Sequence, residues 1–125
     1  MTQEDKQLLL KDLCSRLPYN VVIRCTDNDT DYKCFLTTDI LNELLHNTEY
    51  YGYKPYLRPM SSMTDKEKTK IASMAGHFNS LTKSIEVCFA CLPVVDYCYS
   101  RHLDIHGLIE KGLALEAPEG MYKTE

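Results

Sequence analysis

At 125 residues the chain fits one domain of common size, long enough to bury a core without metal or disulfide staples. With 44% apolar and 26% charged residues it has the balance of a folded globular protein, which excludes a disordered chain. A net charge of −4 supplies no overall positive field toward nucleic acid or anionic lipid, and no run approaches the roughly 20 apolar residues needed to span a bilayer.

The opening residues Met1 to Lys6 are polar and acidic, and the apolar run behind them is only Leu8-Leu9-Leu10. A secretory signal needs a basic start and a longer apolar stretch, so the expectation is a cytoplasmic protein with no membrane partner. Its six cysteines are then expected to be reduced and mostly buried as small hydrophobes.

Thr2 is placed to cap a first helix over about residues 3–16, with Glu4 and Asp5 in its first turn. Leu9, Leu13 and Leu17, flanked by Leu10 and Cys14, form one apolar stripe that Pro18 ends. Asn20 to Thr26 is short and β-branched, and Tyr32 to Thr37 is again extended, which predicts a hairpin around the turn-forming Asp27-Asn28-Asp29-Thr30-Asp31. That turn has the alternating carboxylates of a calcium loop, but Tyr32 stands where its glycine belongs and Thr38 where its glutamate belongs. The polar-turn reading therefore stands.

Thr38 is expected to cap a second helix that buries Ile40, Leu41, Leu44 and Leu45. The segment Thr48 to Pro59 holds Pro55 and Pro59, which restrict it to extended backbone and suggest an edge strand. Thr64 and Glu67 form a capping box for a third helix over about 65–75. Lys66, Lys68 and Lys70 fall on its wet side, Ile71 and Met74 face inward, and Gly76 closes it. Residues 81–92 fit strand alternation and a helical stripe alike, with strand preferred for Ile85 to Phe89. Pro93 suits the first turn of a fourth helix reaching about His102.

Two blocks, Lys54-Pro55-Tyr56-Leu57-Arg58-Pro59-Met60-Ser61-Ser62-Met63-Thr64 and His102 through Tyr122, resemble short uncharacterised proteins of gut anaerobic bacteria and their prophages. The stretch Asp12 to Tyr19 is similar too, so that about a third of the chain carries the resemblance. The resemblance implies a mobile-element setting and carries over no catalytic or binding residue.

Three patterns could carry chemistry. Cys88-x2-Cys91-x6-Cys98-x3-His102 has the ligand types and number of a structural zinc site. No glycine-bearing knuckle turns the backbone around a metal there, and buried core thiols explain the spacing at less cost. His102-x-Asp104-x-His106 could do acid–base work, although an aspartate at that position also accepts the N–H groups of a following turn. Tyr50, Tyr51, Tyr53 and Tyr56, interleaved with Lys54 and Arg58, offer rings for bases and cations for phosphate. Tyrosines in an extended segment also pack on a core with their hydroxyls wet. No nucleophile elbow, phosphate loop or dinucleotide fingerprint occurs, so the sequence designates no enzyme and no cofactor.

These readings combine into one α+β domain over residues 1–125: a small antiparallel sheet packed with three to four helices, ending in an extended tail. The core is expected from Leu9, Leu13, Leu17, Val21, Ile23, Phe35, Ile40, Leu44, Ile71, Phe89, Val95 and Leu108. The function expected first is a non-enzymatic protein-interaction or regulatory module of a mobile element, binding a protein partner or a second copy. Its surface would be Tyr50, Tyr51, Tyr53, Lys54, Tyr56 and Arg58, pairing along a sheet edge. Single-stranded nucleic acid on the same segment is the alternative, against the acidity of the whole. A small zinc domain is the third reading.

Overall fold

The structure, a computed structural model, describes residues 2–27, 30–46, 53–75 and 92–122. Helix α1 spans Gln3–Arg16, and the Thr2 hydroxyl accepts the Asp5 N–H at 3.0 Å as its cap. Leu9 and Leu13 are fully buried, whereas Leu17 is half-buried and Cys14 is exposed. The stripe is narrower than expected because Asp12 and Arg16, four apart, occupy the rest of the buried face. Pro18 does not stop the chain from coiling. It sits in a short 3-10 turn, Leu17–Tyr19, and Asn20 then reverses the backbone with a left-handed φ of 54°.

Strands β1 (Val22–Asp27) and β2 (Thr30–Phe35) form the expected hairpin, with pairs running from Val22↔Phe35 to Asp27↔Thr30. Helix α2 spans Thr38–His46 and is capped one residue earlier than expected, by the Thr37 hydroxyl. Its buried face is Ile40 and Leu44, and Leu45 is 59% exposed. Strand β3 (Lys54–Leu57) lies antiparallel to β1 and parallel to β4 (Leu115–Glu116), giving the order β2-β1-β3-β4. The sheet is thus mixed rather than purely antiparallel, and the proline-bounded strand is interior rather than at an edge. Pro55 is tolerated there beside Ile23, where only two residue pairs join β1 to β3.

Helix α3 (Asp65–Ala75) begins with the predicted capping box: Thr64 accepts the Glu67 N–H, and Glu67 accepts the Thr64 N–H at 2.8 Å. Helix α4 is Leu92–Ser100, with Val94 rather than Val95 fully buried. The residues after α4 are not an extended tail. They form successive turns, with left-handed glycines at 107, 112 and 120, and deliver Leu108, Leu113 and Ala114 into the core.

One apolar cluster joins α1, α2 and the sheet's inner face through Leu9, Leu13, Ile23, Leu44, Leu57 and Leu108. A second joins α3 to α4 through Met63, Ile71, Val94, Cys98 and Leu103. Phe35, expected in the core, is 60% exposed, because its cross-strand partner Val22 belongs to the opposite face from Ile23. The expected strand at 85–89, including Phe89, lies outside the described residues. No helix among the described residues is long and apolar enough to cross a membrane.

Candidate functional site

Strand alternation divides the sheet into two faces of different chemistry. Ile23, Cys25, Cys34, Pro55 and Leu57 point inward beneath α1 and α2. Val22, Arg24, Thr26, Asp31, Lys33, Phe35, Lys54 and Tyr56 point outward, so the Asp31 carboxylate, which accepts the Thr26 hydroxyl, stands on the same face one row from the Arg24–Lys33 pair. The register places Lys33 opposite Arg24 on one side and Lys54 opposite Arg24 on the other. Three cations therefore stand in one row across three strands, spanning about 10 Å at ordinary strand spacing. Beside this row on the same face stand Phe35, paired with Val22, and Tyr56, the next outward residue of β3 after Lys54.

The cations are only partly neutralised by the chain. Lys33 reaches over the face so that its ammonium lies 5.4 Å from the Tyr56 ring centroid. The Arg24 Nε is shielded from solvent and has no hydrogen-bond acceptor among the described residues. No described carboxylate forms an ion pair with Lys33, Arg24 or Lys54. Like charges directly opposite one another on a sheet destabilise it, so the arrangement has a standing cost.

The Tyr122 hydroxyl finishes this face. It accepts the Val22 N–H at 2.9 Å and donates to the Tyr56 carbonyl at 2.7 Å, bridging β1 and β3 where their direct ladder ends. The His102 ring stacks on Tyr122 at 3.7 Å. Burial and the nearby Arg16, Arg58 and Arg101 cations push His102 down to about 4, so it is neutral near pH 7.

Of the segment expected to form the surface, Lys54 and Tyr56 are on the outer face and Tyr53 turns inward, donating to the Glu43 carboxylate. Tyr50 and Tyr51 lie outside the described residues. Arg58 is not a surface cation. Its Nη1 and Nη2 both donate to Glu67 at 2.7 Å, and it also holds the carbonyls of Arg101 and Ser62. Arg101 adds a third cation-to-Glu67 contact at 2.8 Å. Burial alone would raise Glu67, but these hydrogen bonds and the Thr64 N–H outweigh it and hold the carboxylate at about 2.

The other two patterns do not assemble a site among the described residues. Cys88 and Cys91 lie outside them, Cys98 is buried in the α3–α4 cluster, and no described group of three or more His, Cys, Asp or Glu could hold a metal. His102, Asp104 and His106 diverge. Asp104 accepts the N–H groups of Leu108 and Ile109, while His106 pairs with the Tyr99 hydroxyl at 2.8 Å. A cleft of about 700 Å³ opens where the two resemblance blocks meet, between Pro59–Thr64 and Glu116–Tyr122. Of its polar lining, Arg58, Thr64 and Tyr122 are engaged in internal hydrogen bonds, and Glu116 and Glu119 add two carboxylates at its far wall.

Sequence reading found Lys54 and Tyr56 but missed Arg24, Lys33 and Phe35. The signal was present: a single cation in each of two strands of a predicted hairpin, set symmetrically about its turn. No family model matches the chain, and neither the curated proteins nor the solved structures include a match.

Proposed function

We propose that this chain is a non-enzymatic binding module that holds a single-stranded nucleic acid on the outer face of its sheet. The in-register row Lys33–Arg24–Lys54 carries the reading. A phosphate backbone laid across the row meets three cations that the described carboxylates leave open, and so relieves their mutual repulsion. Phe35 and Tyr56 beside the row offer ring faces on which bases stack. The net charge of −4 opposes this only at long range, because salt screens charges beyond about 8–10 Å while contacts on the face itself are screened less. Such a module suits the mobile-element setting that the resemblance implies.

Fluorescence anisotropy with a labelled oligothymidine of about 12 nucleotides tests it. Binding is expected to weaken with salt on a log–log slope of about −2, three single-strand phosphate contacts at about 0.7 each. Arg24→Glu with Lys33→Glu is expected to abolish binding while the fold persists. No binding up to about 1 mM oligonucleotide in low salt would overturn the proposal, as would equal binding by the double variant. A protein partner is the second reading, supported by β2, which is the sheet's free edge and almost wholly exposed. Its signature would be capture of an extended peptide insensitive to the Arg24 and Lys33 substitutions.

A further inference from the structure

Beneath the cationic face, Cys25 and Cys34 approach each other from neighbouring strands. Their Sγ atoms are 2.8 Å apart, and both thiols are free. They are diagonal neighbours on the inner face, since Ile23 pairs with Cys34 and Cys25 pairs with Tyr32. Closing the remaining gap to a disulfide of about 2.05 Å takes a movement of under 1 Å. Two thiols this close in a packed interior gain little as hydrophobes that one thiol and one methyl group would not supply.

We propose that Cys25 and Cys34 form a reversible intramolecular disulfide by exchange with a small disulfide of the oxidised-glutathione class. This is independent of what the outer face binds. The two thiols are unequal, which sets the order of events. Cys25 is 1% exposed, and burial followed by its contact with Cys34 pushes its thiol up to about 12. Cys34 is half-buried on the edge strand and is the one that a small reagent reaches.

Cys34, as its thiolate, attacks one sulfur of the small disulfide; that S–S bond breaks, and the departing thiolate takes up the proton Cys34 lost. Cys25 then gives up its proton and attacks the Cys34 sulfur of the mixed disulfide, expelling the second small thiolate, which takes that proton. Two cysteine thiols are oxidised by two electrons, and one small disulfide is reduced to two thiols. The product fastens β1 to β2 across the hairpin that carries Arg24 and Lys33.

The wild-type chain, incubated with oxidised glutathione and then alkylated under denaturing conditions, tests this without relying on a variant. Trypsin cuts after Arg24 and after Lys33, so the two cysteines fall in separate peptides that only a disulfide can join. The expected result is one linked pair of Cys25 and Cys34 peptides, undone by dithiothreitol. Recovery of both peptides alkylated and separate would overturn the proposal. So would a Cys34–glutathione adduct that persists, or a bridge from Cys25 to any other cysteine. In Cys34→Ser, Cys25 is expected to stay reduced and free of glutathione.

Discussion

The strand β3 has a cluster of cations at each end, and the two are built in opposite ways. Past its C-terminal end, Arg58 and Arg101 close on the buried carboxylate of Glu67, and the Arg58 guanidinium, the carboxylate and the Thr64 N–H bond one another or nearby carbonyls. At its N-terminal end, Lys54 joins Arg24 and Lys33 in a row with no described carboxylate as counterion. Where the chain provides its own anion, charge becomes architecture that ties β3 to α3 and to the end of α4. Where no described carboxylate pairs with it, the same kind of charge stays on the outer face, with Lys33 exposed and Arg24 and Lys54 half-buried. Composition alone treats the two clusters as equal.

The sharpest way to break this contrast is to remove the internal anion. Glu67→Gln leaves the buried Arg58 guanidinium and the half-buried Arg101 guanidinium beside a neutral amide and is expected to destabilise the fold by about 3–5 kcal/mol, read from urea unfolding. An uncharged yardstick is Leu13→Ala, expected to cost about 2–5 kcal/mol through the cavity it leaves beneath the sheet. An unchanged midpoint for Leu13→Ala would contradict its place in the core.

Acid probes the closed cluster in two steps. His102, depressed from 6.5 to about 4, favours folding above pH 6.5, and its contribution is lost as pH falls from there through 4. Glu67, depressed from 4.5 to about 2, contributes above pH 4.5 and loses its effect as pH falls from there through 2. The unfolding midpoint should therefore fall over both windows. His102→Asn, which tolerates the left-handed φ of 62°, should shrink the upper step to the part that His106, also lowered by burial, supplies, and keep the lower one. The open cluster should behave inversely and weakly. Arg24→Glu is expected to change stability by less than about 1 kcal/mol, and in the stabilising direction, because it ends the opposition of like charges while erasing anion binding. A loss of several kcal/mol there would mean that Arg24 is structural after all.

How much was legible depended on how far apart the cooperating residues lie. The Thr2 cap, the Leu9–Leu13 stripe, the hairpin and the Thr64–Glu67 box involve neighbours within a few positions, and each was readable from spacing. Asp12 and Arg16 have i,i+4 spacing but stand outside the apolar stripe by which a buried face is recognised. They are buried because Arg16 also donates to the Leu103 carbonyl, 87 residues away. Glu67 was legible as a cap but not as the partner of Arg58 and Arg101. Phe35 was misplaced because Cys34, not the larger ring, takes the inward position, and parity within a strand is fixed only by its partner. The cationic row was hidden for the same reason: Arg24, Lys33 and Lys54 meet only through register.

The Tyr122 bridge has a consequence for how the chain is made. Residues 102–104 and 115–117 cover the flank of β3, and the Tyr122 hydroxyl closes its junction with β1. A nascent chain emerging N-terminus first exposes the hairpin and β3 well before these residues exist, leaving an unsatisfied strand flank for the whole interval. Fragments ending before residue 115 should therefore be prone to clump through that flank. Any shortened version intended for study must keep the chain through Tyr122.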